Sequence, residues 1–377
     1  MRSPLLPLIT AVLALGWQTT RAESPLRPAF HRGVCLEGGL PLEPCHIEEL
    51  TATGVTHVSL NPFGWMESAS STEVHMRTES GGGGGGRWFG ERDDGLRQYA
   101  SLAREAGMTV MLRPHIWLRR GGKDAQGNDL WLDDIGFETE AQWQAFFASY
   151  TRFAVHYAAL AEDAGMAWYS VGAEMTRATR ERPEDWRRVI AACREVYRGK
   201  LIYSANWYEE AEALAFGDAL DAIGVQAYFP LAEAPGDRAE DLAARFEGWL
   251  DRMEAVSRRA GRPVIFTEIG YKATPNALVE PWVWREDGGP SPATQALGYR
   301  VALAAMADEE WLAGAYWWKY HADPCATAQP RRPGDFTWQG QPAAEILARA
   351  YRGLDMETPG SSGEEPGAEA LGNGGGR

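Results

Sequence analysis

Two glutamates stand at positions where acids are unusual, at the ends of apolar strand-like runs. Glu268 follows the apolar residues of PVIFTEIGY, which begins at Pro263, and Glu174 ends the run AWYSVGAE, which begins at Ala167. A rigid strand end can aim a carboxyl group well. Two carboxyl groups that face one cleft can cleave a glycosidic bond, since one protonates the leaving oxygen while the other stabilises or attacks the anomeric carbon. The pair therefore predicts a sugar-cleaving site.

The elements that must position these acids are eight strand-like runs, most of them followed by a helical pattern. The runs begin at Phe30, Val55, Thr109, Ala167, Leu201, Ala222, Pro263 and Gly314. Their interiors are apolar on both faces, as expected of parallel strands covered by helices. The helical segment from Trp143 to Tyr157 shows apolar residues at three- and four-residue steps, which predicts a core-facing helix. Strand and helix in alternation, eight times, predict an α/β fold, a single-domain (β/α)8 TIM barrel, whose site lies at the carboxyl ends of the strands.

Those strand ends carry an inventory that suits a carbohydrate. Besides the two glutamates they offer Asn61, Phe63, Trp65, Arg113, His115, Asn206, Trp207, Tyr228, Phe229, Trp317, Trp318, Lys319 and His321. Aromatic rings pack on the apolar faces of sugars and polar groups bond the hydroxyls. Two plainer interpretations stay open: a Trp-rich core would explain any single ring, and each glutamate could form a structural ion pair with Arg113 or Lys319.

The composition of the chain limits the classes of partner that we expect it to bind. The net charge of -15 argues against nucleic acid and against an anionic membrane, because both require a basic surface. A polysaccharide or oligosaccharide is the expected partner, and a monomer is expected. No cofactor and no metal site are expected, since the seven His are scattered and the four Cys lack zinc-site spacing. Cys193 is predicted to be a buried free thiol, whereas a bridge from Cys35 to either Cys45 or Cys325 remains open.

The chain divides into three parts. Residues 1–22 combine Arg2, an apolar stretch and small residues ending at Ala22, which predicts a secretory signal peptide and a secreted or periplasmic mature protein. Residues 23–354 form the predicted catalytic domain, with an insertion at about 66–94 that contains the glycine run Gly81–Gly86. Residues 355–377 are a polar low-complexity tail, predicted to be disordered.

From about Gly33 to Trp318 the chain resembles glycoside hydrolase family 113, a β-mannanase family in the large clan of retaining (β/α)8 glycoside hydrolases. The resemblance is carried by the segments VGAEMTRAT, LIYSANW, LDAIGVQAYFPL, FTEIGYKA and AYWWKY in this order. It implies hydrolysis of β-1,4-mannosidic bonds with Glu174 as acid/base and Glu268 as nucleophile. It also implies that Tyr228 hydrogen-bonds the nucleophile. The full set of residues expected to bind substrate is Trp65, His115, Asn206, Trp207, Tyr228, Tyr271, Trp317, Trp318 and Lys319.

One position departs from the pattern of the wider clan. The residue before the acid/base is usually Asn, which binds the sugar 2-hydroxyl, and here it is Ala173. Because hydrogen bonds to that hydroxyl strengthen in the transition state, the departure bears on which sugar is bound. The alternatives are therefore the same barrel acting on another β-linked glycan, such as β-glucan or xylan, and a carbohydrate-binding barrel without catalysis.

Overall fold

The computed structural model describes residues 26–76, 88–123, 130–283, 288–325, 333–354 and 356. Its strands are β1 (His31–Glu37), β2 (His57–Leu60), β3 (Phe63–Met66), β4 (Thr109–Leu112), β5 (His115–Leu118), β6 (Trp168–Ala173), β7 (Lys200–Asn206), β8 (Ala222–Gln226), β9 (Val264–Ile269) and β10 (Leu312–His321). Its helices are α1 (Pro44–Thr53), α2 (Asp93–Glu105), α3 (Glu140–Asp163), α4 (Thr176–Glu181), α5 (Pro183–Val196), α6 (Glu210–Ala213), α7 (Ala239–Ala260), α8 (Pro292–Met306) and α9 (Pro342–Tyr351). Short 3-10 helices lie at Phe89–Glu91, Leu132–Asp134 and Gly217–Ala219.

Eight of the strands close into one parallel barrel, in the order β1-β10-β9-β8-β7-β6-β4-β2. Each of the eight runs found in the sequence supplies one of them, so the predicted (β/α)8 barrel is confirmed. The strands are apolar on both faces because one face packs on helices and the other on the barrel axis. In α3, for example, the apolar stripe that includes Trp143, Phe146 and Tyr157 is buried, as predicted.

The barrel axis is filled by its own group of side chains. Inward-facing residues form a cluster separate from the layer between strands and helices. Its strand members are Cys35, Met111, Trp168, Ile202, Ala222, Ile265, Tyr316 and Trp318, and Phe336 joins them from the segment between β10 and α9. The interior is therefore packed, and a ligand can reach the two glutamates at the strand ends only from the mouth formed by the carboxyl ends of the strands.

Two of the predicted strands are each divided by a proline. The runs that begin at Val55 and Thr109 break at Pro62 and Pro114, and the second halves, β3 and β5, pair with each other as a separate parallel sheet. The register aligns Leu60 with Leu112 and Phe63 with His115, which places the two prolines opposite each other. Because proline has no N–H for the ladder, both strands leave the barrel at the same level.

A disulfide joins Cys45, near the start of α1, to Cys325, in the loop after β10, with a sequence separation of 280 and a Cα–Cα distance of 6.4 Å. Neither bridge from Cys35 that the sequence allowed is present. Cys35 faces the barrel axis, where its thiol donates toward the Thr267 carbonyl at 3.5 Å, so it cannot reach a partner at the rim. Cys193 is a buried free thiol, as predicted.

Several predictions fall outside the described residues: the signal peptide 1–22, the glycine run Gly81–Gly86 and almost all of the tail 355–377. The described flanks of the insertion contact the barrel mouth. His75 forms an antiparallel bridge with Trp65, and the Phe89 N–H donates to the Gly39 carbonyl. Among the described helices, none has both the length and the apolar character that crossing a membrane requires.

Candidate active site

The two glutamates meet at the carboxyl ends of the barrel strands. Glu268 is the penultimate residue of β9, and Glu174 follows the last residue of β6. Because all eight strands are parallel, their carboxyl ends surround one mouth, and the two acids interact across it: the negative charge of Glu268 contributes to raising the pKa of Glu174. The structure thus brings together the two residues that the sequence predicted as catalytic.

Glu268 is surrounded by groups that stabilise a negative charge. Nη2 of Arg113 lies 2.5 Å from Oε1, and the Tyr228 hydroxyl donates to Oε2 at 2.5 Å. Burial, together with the Glu268 charge, raises the pKa of Tyr228 well above its usual value, so this phenol keeps its proton and stays a donor. Each carboxylate oxygen is held by a different partner, which fixes the plane of the group as well as its charge.

His115 completes these surroundings without carrying charge. Burial first, and the neighbouring Arg113 second, lower the pKa of His115 well below its usual value. Nε2 of this ring contacts Nη1 of Arg113 and lies 3.6 Å from Oε1 of Glu268. Because a guanidinium can only donate, Nε2 is the acceptor and the ring proton is assigned to Nδ1. His115 therefore orients Arg113, and the Arg113 guanidinium supplies the positive charge beside Glu268.

Glu174 has a different environment. Its backbone has φ of 56°, in the left-handed region that residues with a side chain rarely adopt. Its N–H donates to the Ser204 carbonyl at 3.0 Å, which ties it to β7. Burial first and the charge of Glu268 second raise the pKa of Glu174 to about 8. Within the described parts of the chain, no side chain hydrogen-bonds to its carboxyl group, so a protonated acid faces the mouth near neutral pH.

A third carboxyl group, Glu210 at the start of α6, lies beneath Glu174 and was missed in the sequence. It is 1% exposed and accepts hydrogen bonds from Tyr203 Oη (2.8 Å), Thr179 Oγ1 (3.0 Å) and the Asn206 N–H (2.7 Å). Burial raises the pKa of Glu210 to about 7. Its position in the polar stretch YEEAEA suggests a surface acid, and no local pattern distinguishes it from Glu209 or Glu212.

The Glu210 group is linked to the acid above it through the backbone. Tyr203, which donates to Glu210, accepts the N–H of Met175, the residue that follows Glu174, at 2.9 Å. Thr179 and the segment around Asn206 are bound to the same carboxyl group. The loops after β6 and β7 are thus fixed to one buried side chain, and this fixes the backbone from which Glu174 projects.

On the same side of the mouth, two predicted binding residues are held by protein contacts. The amide nitrogen of Asn206 donates to Thr176 Oγ1 at 3.1 Å, and the residue is buried. The Trp207 ring is half-buried and meets the rings of Trp249 and Trp282 at centroid distances of 4.9 and 5.6 Å. Trp282 is 43% exposed, so this aromatic group reaches the surface of the protein.

A second pair that the sequence did not indicate borders Glu174. The Tyr208 hydroxyl donates to Oδ2 of Asp133 at 2.8 Å, and burial raises the pKa of Asp133. Asp133 lies in the short 3-10 helix Leu132–Asp134, far from any strand end in the sequence, and only the fold brings it to Tyr208. Its negative charge adds to those that raise the pKa of Glu174.

Strand β10 supplies Trp318 and Lys319, joined by a cis peptide bond. The Trp318 ring is 7% exposed and belongs to the barrel-axis cluster, with Cζ of Arg113 lying 6.0 Å from its centroid. Nζ of Lys319 donates to Oε1 of Glu37 at 3.3 Å, and Glu37 also contacts Nδ1 of His321. Both predicted residues therefore stand at the mouth, with Lys319 in a cluster of charged groups.

The structure does not bring Tyr271 and Trp317 to the mouth. Both are completely buried. Trp317 stacks on Tyr299 of α8, with ring centroids 3.8 Å apart, and Tyr271 packs against Gly298 of the same helix. Neighbouring residues in a strand point to opposite faces, so Trp317 turns toward the helices because Trp318 turns toward the axis. Their contribution is to the core.

The chain matches the model of Glycoside Hydrolase Family 113 over residues 44–341. Two solved structures share its fold over 86% of its length. One is a GH113 β-1,4-mannanase in a complex, with 24% sequence identity, 99% of that chain covered and a TM-score of 0.71. The other is the GH113 β-mannanase AaManA from Alicyclobacillus acidocaldarius with ManMIm, with 26% sequence identity, 97% of that chain covered and a TM-score of 0.70. A β-glucuronidase from Ruminococcus gnavus with D-glucuronic acid is similar in fold at 14% identity, over half of that chain, with a TM-score of 0.56. No curated protein matches the chain in sequence.

Proposed function

The chain belongs to glycoside hydrolase family 113 and is a glycoside hydrolase; we propose that it cleaves β-1,4-mannosidic bonds in mannan or manno-oligosaccharides with retention of configuration. One observation carries the mechanism. Two carboxyl groups at one mouth have opposite surroundings, since Glu268 is paired with Arg113 and Glu174 has its pKa raised to about 8. Double displacement needs this division, with one group protonated and the other ionised at the same pH.

In the first step, Glu174 gives its proton to the glycosidic oxygen as the bond to the leaving sugar breaks. The Glu268 carboxylate attacks the anomeric carbon and forms a covalent glycosyl-enzyme. Charge leaves the carboxylate in this step, so Arg113 and Tyr228 must orient the attacking oxygen without neutralising it. In the second step, the now ionised Glu174 removes a proton from water, water attacks the same carbon, and Glu268 is released.

The substrate part of the proposal draws support from two sources. The chain shares its family with proteins described as β-1,4-mannanase and β-mannanase. Its mouth also carries Trp207 and Trp318, which can pack on pyranose rings. Ala173, which is 1% exposed and has no polar side chain, favours a second candidate: another β-linked glycan, such as β-glucan or xylan, on the same barrel by the same chemistry. We place the reaction outside the cytoplasm, on the basis of the apolar N-terminal stretch in residues 1–22.

The experiment compares the purified protein with Glu268→Ala on β-1,4-mannan, cellulose and xylan oligosaccharides, resolving the products over time. Mannan products that disappear in the variant are expected, and proton NMR of the first product should show the β-anomer before mutarotation. The matched control is Glu280→Ala, at an exposed acid outside the site, which should leave the rate unchanged. Cleavage of cellulose or xylan alone would show that mannan is not the substrate, while the protein would still be a glycoside hydrolase. Initial release of the α-anomer would overturn retention.

A further inference from the structure

The small sheet formed by β3 and β5 has two unlike faces. Residues in register in a parallel pair point to the same side, and successive residues alternate. One side is buried against the protein and consists of Gly64, Met66, Ile116 and Leu118. The other side, named the aromatic face here, consists of Phe63, Trp65, His115 and Trp117. Gly64 illustrates the buried side, because a Cβ there would lie 2.5 Å from the Phe153 ring of α3.

The aromatic face begins at the nucleophile. His115 is its inner residue, and Nε2 of that ring is 3.6 Å from Oε1 of Glu268. Trp117 is two residues farther along the same strand on the same side, so it lies about 7 Å farther from the barrel at a rise of about 3.3 Å per residue. A chain of sugars leaving the mouth in this direction must therefore pass over the face.

Trp117 is the open ring of the aromatic face. It is 51% exposed, although its neighbours hold it firmly. The rings of Trp131 and Phe63 stand nearly perpendicular to it, at interplanar angles of 88° and 80° and centroid distances of 5.4 and 6.4 Å. Trp65 differs, since its ring stacks on His75 at 5.4 Å and 22°. Among the described residues, no ring stacks on the face of Trp117, and its edges are fixed. Such an indole loses little entropy when it binds a flat apolar surface.

We propose that the aromatic face is a carbohydrate-binding platform on which Trp117 stacks against a sugar unit beyond those at the cleavage point. The occupant is a farther unit of the same β-linked chain, because the face is continuous with the catalytic mouth through His115. The face also presents an aromatic ring for the apolar side of a pyranose. The proposal rests on the proposed glycosidase function, and it deepens that function by making chain length a determinant of the substrate.

The test measures kcat/KM on β-1,4-manno-oligosaccharides of two to six units for the native sequence, Trp117→Ala and Trp117→Phe. For the native protein, kcat/KM is expected to rise with length. Trp117→Ala should lower kcat/KM on the longest substrate about tenfold, which corresponds to the loss of one good aromatic contact, and leave the shortest unchanged. Trp117→Phe should restore part of the loss. The control is Leu354→Ala, which removes a 49% exposed side chain after α9 and should leave all lengths unaffected.

Each outcome of this test either supports or contradicts the carbohydrate-binding platform. An equal fall on all lengths would overturn the platform, because it would assign Trp117 to the cleavage point or to the fold. No change on any length would also overturn it and would leave the face to another occupant, such as a protein partner. If the native protein cleaved only oligosaccharides of another β-linked glycan, the proposal of mannan as substrate would be wrong. The same comparison of variants on oligosaccharides of that glycan would then test the platform separately.

Discussion

Arg113 and Glu268 form an ion pair inside the barrel mouth, with Nη2 and Oε1 2.5 Å apart and side chains 0% and 7% exposed. The pair joins the strand segment after β4 to β9, across the barrel. Water cannot solvate either charge well at this depth, so each depends on the other. Removing one partner of such a pair costs about 3–5 kcal/mol, because the remaining charge is left buried.

This dependence predicts a specific pattern of stabilities. Arg113→Met should lower the free energy of unfolding at pH 7 by about 3–5 kcal/mol, since it leaves the Glu268 carboxylate unpaired. Adding Glu268→Gln should recover most of that loss, because the uncompensated charge is then gone. Urea unfolding of the native protein, both single variants and the double variant measures the cycle. A double variant no more stable than Arg113→Met would contradict the pairing as the source of the effect.

The pH dependence of activity follows from Glu174. Its protonated form is the proposed general acid, and its pKa is raised to about 8, so kcat/KM should be lost as the pH rises through about 8. The charge of Glu268 contributes to that rise, and neutralising it in Glu268→Gln should lower the pKa of Glu174. The pH profile of kcat/KM gives the pKa of Glu174 in the native protein. Carbon-13 NMR of labelled glutamate gives its pKa in Glu268→Gln, and the signal that is missing from Glu174→Gln identifies the residue. An alkaline limb that stays in place in Glu174→Gln would assign the limb to another group.

Glu210 is predicted to act as a positioning residue for Glu174. Glu210→Ala should lower kcat about a hundredfold, because a shift of about 1 Å in a catalytic group has an effect of that size. Glu210→Gln keeps the volume and one acceptor oxygen, and should lose much less. Since the Glu210 charge helps to raise the pKa of Glu174, the alkaline limb should move to lower pH in Glu210→Gln.

The pH of the alkaline limb of activity distinguishes a positioning role of Glu210 from a role in folding alone. A purely structural Glu210 would reduce the amount of folded protein and leave the limb of the surviving enzyme where it was. The matched control is Glu209→Gln, at the exposed neighbour, which should change neither rate nor limb.

The disulfide predicts a redox dependence of stability. Cys45→Ser should destabilise the protein by about 2–5 kcal/mol, the usual effect of losing a native bridge, and the Tm should fall accordingly. A reductant should lower the Tm of the native protein to that of the variant and leave the variant unchanged. Activity at 25 °C should survive, because neither sulfur contacts the catalytic residues. A native Tm that ignores the reductant, with four free thiols by titration, would show that the bridge does not form.

The barrel and its two acids could be predicted from the sequence because the signals are local. Strands buried on both faces are continuous apolar runs, and parallel topology alone then brings Glu174 and Glu268 to one mouth. Alternation along β10 is a further signal in the sequence: of Trp317 and Trp318 only one can face the axis, so the prediction that both bind substrate conflicts with strand geometry. Tyr271 lies beyond β9, where alternation no longer applies, and its burial depends on how α8 packs.

What the sequence could not supply depends on contacts between distant segments. Glu210 is one of several acids in YEEAEA, and its burial follows from the way the loop after β7 folds back under β6. The splitting of two strands needs the register that sets Pro62 opposite Pro114. The pairing of Cys45 with Cys325 requires knowledge of which loops meet at the rim, across 280 residues.

The Cys45–Cys325 bridge also changes how the molecule would respond to force. With the backbone between them, the two cysteines form a covalent loop that contains nine of the ten described strands and every residue assigned here to catalysis. Of the barrel strands described, only β1 lies outside the loop. A pull applied to the two chain ends would therefore load β1 and α9, and the bridge would carry the tension past the strands that hold Arg113, Glu174 and Glu268. If the two ends of the enzyme were pulled apart, the segments outside the covalent loop would unfold first, and the strands that carry Arg113, Glu174 and Glu268 would bear no tension.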